Sequence, residues 1–143
     1  MQATPPAPTI VAETVRRALS EDIDRGDVTT EACVDPTTMG TATLNARERV
    51  VVCGLPVLEE VYCQLDLLVD VEPHVQDGDL VEAGTALATI SGPATSILLG
   101  ERVALNFMQR LTGVSTMTRR FVDSLPAGSA ARITDRPPIL SAR

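Results

Sequence analysis

Arginine is the only cation in this 143-residue chain: its twelve basic residues include no lysine. A guanidinium stays protonated and can hold a carboxylate or phosphate through two parallel hydrogen bonds, so anion binding suits these side chains. The same count excludes a Schiff-base or pyridoxal-phosphate lysine, a phosphate-loop lysine, and a lysine carrying lipoyl or biotin. His74 is the single imidazole, which argues against a three-histidine zinc site and a His-based triad with a spare base. The formal net charge is −7, but residues 1–100 carry −11 and residues 101–143 carry +4. No arginine lies between Arg49 and Arg102. An anion would therefore go to the last third of the chain.

Other candidate chemistries are weaker. The acidic stretch Ser20 to Thr30 lacks the glycine and terminal glutamate of a calcium loop at the required spacing from Asp22, so it reads as a helix end and turn. The phrase Val75 to Gly84 is like that of biotinyl and lipoyl carriers, without their attachment lysine. It leaves only the expectation of a small, glycine-punctuated β arrangement. Cys33, Cys53 and Cys63 are odd in number and lack metal-ligand spacing, which favours reduced, partly buried thiols. His74 reads as a turn residue, and Arg119 and Arg120 as decoration of a helix face. Three aromatic residues and an acidic balance argue against nucleic acid. Met1 to Pro8 has no basic start or apolar run, and Ala83 to Gly100 is too broken to span a membrane. The expected compartment is the cytoplasm.

The elements that must position these residues follow from periodicity. Thr9 is expected to cap a helix with Ile10, Val11, Val15, Ala18 and Leu19 on its apolar face. Thr41 to Val52 reads as a strand, and a helix begins at Pro56 with Val57, Leu58, Val61, Tyr62 and Leu65 on one side. Leu67 to Val71 reads as a strand, Asp77-Gly78-Asp79 as a tight turn, and Leu80–Val81 and Thr85–Ile90 as short strands. From Thr95 the pattern is helical. Ile97, Ala104, Phe107, Met108, Leu111 and Val114 form a broad apolar arc opposite a polar stripe of Arg102, Asn106, Gln109 and Gly113. Such a stripe either meets solvent or lines a site. Glu101, at the edge of the arc, is expected to be held by an arginine in a structural ion pair.

Several segments together carry a resemblance. They are Ala18-Leu19-Ser20-Glu21-Asp22 through Gly26-Asp27-Val28-Thr29-Thr30, Ala46-Arg47-Glu48, Gly54-Leu55, Asp77-Gly78-Asp79, and Gly100-Glu101-Arg102-Val103-Ala104-Leu105-Asn106 continuing to a Gly113 turn and Thr116. From about residue 10 to 135 the chain resembles the quinolinate phosphoribosyltransferase family (nicotinate-nucleotide pyrophosphorylase, carboxylating). The resemblance implies conversion of quinolinate and phosphoribosyl pyrophosphate, with magnesium, to nicotinate mononucleotide, pyrophosphate and carbon dioxide in NAD synthesis. It implies an α+β fold: an amino-terminal α/β, hammerhead-like domain followed by an α/β barrel. It further implies a dimer in which the amino-terminal domain of one subunit closes the barrel of the other. Arg102 matches the family arginine that contacts the substrate carboxylate in the neighbouring site. That role fits a guanidinium on a rigid helix, while cationic clamps and magnesium stabilise the leaving pyrophosphate.

The resemblance lapses after Ile133-Thr134-Asp135. The family continues with threonine-arginine-lysine-threonine, whereas this chain reads Arg136-Pro137-Pro138. Arg136 stands near the family's substrate-binding arginine, but the lysine after it is missing. The expected division is a loose lead-in over 1–8, the amino-terminal domain over 9–113, and over 114–143 only the first helix and strand of a barrel with an atypical tail. No complete catalytic set and no metal ligands are expected within it. The chain reads as an amino-terminal portion that is truncated, frame-shifted or split and inactive alone, acting as a homodimer or with a barrel-containing chain. Two alternatives remain: a non-catalytic dimerisation or regulatory module, and a portion of a paralogous phosphoribosyltransferase.

Overall fold

The computed structural model describes residues 6–23, 34–126 and 133. Helix α1 (Pro8–Ile23) starts at a proline, whose missing N–H costs nothing in a first turn. The Ala7 carbonyl accepts the Ile10 and Val11 N–H groups at 2.9 and 3.3 Å. Thr9 therefore lies inside the first turn and is not the cap expected of it. Val15 and Leu19, one turn apart, face the core, whereas Ile10 is 60% exposed. Five residues of helix rotate Ile10 well away from Val15, off the buried stripe. Ser20 to Ile23 is the end of α1; the rest of the acidic stretch, with Cys33, lies outside the described residues.

The strand expected over Thr41 to Val52 is two strands, β1 (Met39–Asn45) and β2 (Val50–Val51). The register slips between Leu44 and Asn45, which pair with Ala88 and Ala86. Such an irregularity bends a strand, and β2 pairs elsewhere, with β4 (Leu80–Val81). The segment between them carries no glycine or proline to announce the break. The main sheet is antiparallel, in the order β1, β5 (Ala86–Pro93), β3 (Asp70–Pro73). Central β5 buries Leu87, Ala88 and Ile90.

Leu67 and Leu68 are not strand. They lie in a turn and are 84% and 72% exposed. Asp66 Oδ1 accepts the Leu68 N–H at 2.9 Å, and the Asp66 carbonyl accepts the Val69 N–H at 3.1 Å. A local side-chain turn outweighs the apolar pattern there.

Helix α2 (Leu55–Leu65) begins one residue before the expected start, with Pro56 in its first turn, and buries Leu55, Leu58, Val61 and Tyr62. Its cap, Gly54, has φ 115°, a left-handed conformation that glycine adopts without a Cβ penalty. The carboxylate of Asp77 accepts the Gly54 N–H at 2.9 and 3.0 Å and the Leu55 N–H at 3.0 Å. The Asp77 turn thus also caps a helix 22 residues away in sequence.

Helix α3 (Ala94–Asp123) runs for 30 residues straight through Gly113, where a turn was expected. Its first half packs on α1, α2 and the sheets, burying Ile97, Val103, Ala104 and Met108. Two threonines one turn apart attach β2 and Cys53, two residues beyond it, to this helix. Thr116 Oγ1 accepts the Val51 N–H at 2.9 Å; Thr112 Oγ1 accepts the Cys53 N–H at 3.2 Å and donates to the Cys53 carbonyl at 3.1 Å. A helix thereby satisfies backbone groups that a neighbouring strand would otherwise meet. The far end of the arc differs from expectation: Val114 is 68% exposed.

Candidate functional site

Arg102 lies in the first third of α3, on the side that faces the end of α1. The two helices flank a groove of about 670 Å³ whose lining includes Glu21, Asp22, Leu99, Arg102, Asn106 and Arg110. Arg102 Nη1 donates to Asp22 Oδ1 at 3.3 Å, a contact that joins residues 80 apart in sequence. The Arg102 side chain is 77% exposed and that of Asp22 only 27%. A solvent-accessible guanidinium carried on a helix, in a groove that a second arginine, Arg110, also lines, can receive an anion.

The polar stripe of α3 divides between two grooves. Arg102 and Asn106 line the first; Gln109 and Gly113 line a second of about 650 Å³, with Arg47, Glu48 and Glu101. Glu101 is exposed, and among the described residues it has no ion-pair partner, contrary to expectation. It turns to the opposite groove from Arg102, as neighbours on a helix do. Burial, and then the charge of Glu101, pushes the Tyr62 phenol up to about 12. Tyr62 donates to the Ile97 carbonyl at 3.2 Å.

The remaining expected features are simpler. Arg136 lies outside the described residues, as do the two prolines after it. His74 lies in the bend just after β3: its N–H donates to the Leu87 carbonyl at 2.8 Å and its Nε2 lies 2.7 Å from Thr89 Oγ1. Arg119 pairs with Asp123 one turn along at 2.8 Å. Cys53 is half-buried and Cys63 exposed, and both are free thiols. Among the described residues no three His, Cys, Asp or Glu side chains gather as metal ligands do. They do not fit a resident magnesium, and no step is assigned to one. No described helix is long and apolar enough to cross a membrane.

Sequence reasoning missed Asp22 as a partner of Arg102. One signal was available: Asp22 sits in the last turn of a helix with no basic residue there, an unfavourable place for an anion unless something else pairs with it.

Comparison with known proteins identifies the family and the fold. The family model described as "Quinolinate phosphoribosyl transferase, N-terminal domain" matches residues 27–112. The chain is 36% identical over 127 residues to a mitochondrial quinolinate phosphoribosyltransferase of Nicotiana tabacum, covering 87% of this chain and 36% of the relative. It is 37% identical over 105 residues to a probable nicotinate-nucleotide pyrophosphorylase of Bacillus subtilis, covering 73% of this chain and 36% of the relative. Among solved structures, the nicotinate-nucleotide pyrophosphorylase of Francisella tularensis superposes with a TM-score of 0.81 at 34% identity, over 86% of this chain and 44% of that one. NadC from Streptococcus pyogenes does so with a TM-score of 0.82, also at 34% identity and with the same coverage. The chain thus spans well under half the length of these relatives.

Proposed function

The chain belongs to the quinolinate phosphoribosyltransferase family, as its amino-terminal domain, and we propose that it supplies one wall of that enzyme's active site. The reaction is the transfer of a phosphoribosyl group to quinolinate, with release of pyrophosphate and carbon dioxide, in NAD synthesis. Quinolinate and phosphoribosyl pyrophosphate are both anions, and Arg102 is this chain's contribution: it binds a carboxylate of quinolinate in a site completed by a barrel. The observation that carries the reading is the position of Arg102, exposed on a rigid helix at the mouth of a groove and within the matched region. Magnesium enters with the phosphorylated substrate, not through the described side chains.

The domain division is part of the proposal. The amino-terminal domain spans 9–113 after a lead-in over 1–8, and the next domain begins at 114. The family match ends at residue 112, while α3 itself continues across that point. We assign Arg136, which stands near the family's arginine in sequence, to substrate binding as well. The assembly is a homodimer, or a complex with a barrel-bearing chain. The two free thiols favour a reducing compartment such as the cytoplasm.

Two measurements test this. The 143-residue polypeptide, given quinolinate, phosphoribosyl pyrophosphate and magnesium, forms no nicotinate mononucleotide by itself; turnover by it alone refutes the shared site. In a full-length family enzyme bearing this domain, Arg102→Ala raises the KM for quinolinate by about tenfold to a hundredfold, the loss expected for a charge-assisted hydrogen-bonded contact. Stability changes little, because an exposed ion pair contributes only about 0–1 kcal/mol. An unchanged KM refutes the role of Arg102.

A further inference from the structure

Asp22 presents an energetic oddity that the reading of Arg102 does not account for. It lies in the last turn of α1, where the helix dipole disfavours an anion, and no basic residue of that turn offsets it. Its side chain is 27% exposed, less than half as exposed as the arginine it meets. Arg102 has no acidic neighbour one turn away on its own helix, since Leu98, Leu99, Leu105 and Asn106 occupy those positions. Glu101 turns to the other groove. An ion pair with an arginine this exposed adds little stability.

We propose that Asp22 is a positioning residue: its carboxylate ties Nη1 of Arg102 and holds the guanidinium over the groove. The assignment rests on the reading of Arg102 as a carboxylate ligand. The contact is a single bond, from Nη1 to one carboxylate oxygen at 3.3 Å. It leaves the Nε and Nη2 edge of the fork for a second, bidentate carboxylate. A long side chain otherwise loses rotamer entropy when substrate arrives, so restraining it beforehand strengthens binding. Holding Arg102 in this way affects affinity for the carboxylate substrate, not the chemical step.

Kinetics of a full-length family enzyme bearing this domain provide the test. Asp22→Ala raises the KM for quinolinate about tenfold, equivalent to about 1.4 kcal/mol, and leaves kcat within about twofold. The fold tolerates the change, because it removes an anion from a helix C-terminus; an unaltered melting temperature checks this. Asp22→Asn, which keeps an oxygen for Nη1 to donate to, recovers part of the loss. In an Arg102→Ala background, Asp22→Ala has no further effect on KM. An unchanged KM in Asp22→Ala overturns the proposal. A lowered KM does so too, because Asp22 then competes with substrate. An effect that persists undiminished without Arg102 also overturns it. If Arg102→Ala itself leaves KM unchanged, the reading of Arg102 falls first and the role of Asp22 falls with it.

Discussion

At the scale of single residues, the side chains divide by what they touch. Arg102 is largely in solvent and, among the described residues, bonded to the single carboxylate of Asp22, which suits reversible binding of an anion. Tyr62 is the reverse: 2% exposed, with its hydroxyl donated to the Ile97 carbonyl. Burial and then Glu101 raise its pKa from 10.0 to about 12. The sign of the linkage follows directly. Above pH 10 the unfolded chain releases this proton while the folded chain keeps it, so protons favour the native state. Stability from Tyr62 is full below pH 10 and is lost as pH rises from 10 toward about 12. Tyr62→Phe costs about 0.5–1.5 kcal/mol at neutral pH through the lost hydrogen bond. Urea melts from pH 8 to 12 are expected to show the wild-type advantage over Tyr62→Phe shrinking within that window. A constant difference across the range would contradict the buried phenol.

At the scale of elements, the glycines of α3 separate close packing from open surface. A Cβ on Gly100 would stand 2.6 Å from Tyr62 Cε1 and 2.8 Å from Leu65 Cδ1, whereas one on Gly113 meets nothing within 4 Å. Gly100→Ala is therefore expected to destabilise by about 1–3 kcal/mol, overpacking outweighing its better helix propensity. Gly113→Ala is expected to stabilise by about 0.5–1 kcal/mol. Denaturation midpoints of the two variants should move in opposite directions; a shift the same way in both contradicts the α2–α3 packing. The same helix shows what the sequence could convey. The start of α2, to within one residue of Pro56, and its buried face were legible because a proline and a helical repeat are local signals. The family was legible through the segment Gly100 to Asn106. The break between β1 and β2 was not, because it is set by a register slip against β5. The Asp77 cap, the Asp22 contact and the Thr112 and Thr116 attachments were not either, since each joins residues far apart in sequence. The Gly113 turn was expected from the family resemblance; in a helix packed along its first half, one exposed glycine does not end it.

For the whole molecule, α3 is a helix with two unlike halves. Up to Met108 its apolar face is covered by α1, α2 and the sheets. Beyond Gly113, Val114, Met117, Phe121 and Val122 are 47–68% exposed, on one broad side of the helix. A run of apolar side chains like this is costly to leave in water, at about 25 cal/mol for each Å² that could be covered. The match to the family's amino-terminal domain stops just before this stretch, and Thr116, on the other side of the helix, is what still ties it to β2. The 143-residue chain is accordingly expected to self-associate at micromolar concentration in sedimentation velocity. Met117→Ser with Phe121→Ser should shift it toward monomer while leaving its melting temperature nearly unchanged, because neither side chain belongs to the buried core. A wild-type chain that sediments as a monomer shows that this half of the helix is tolerated in water. A double variant that unfolds instead shows that Met117 and Phe121 support the domain itself.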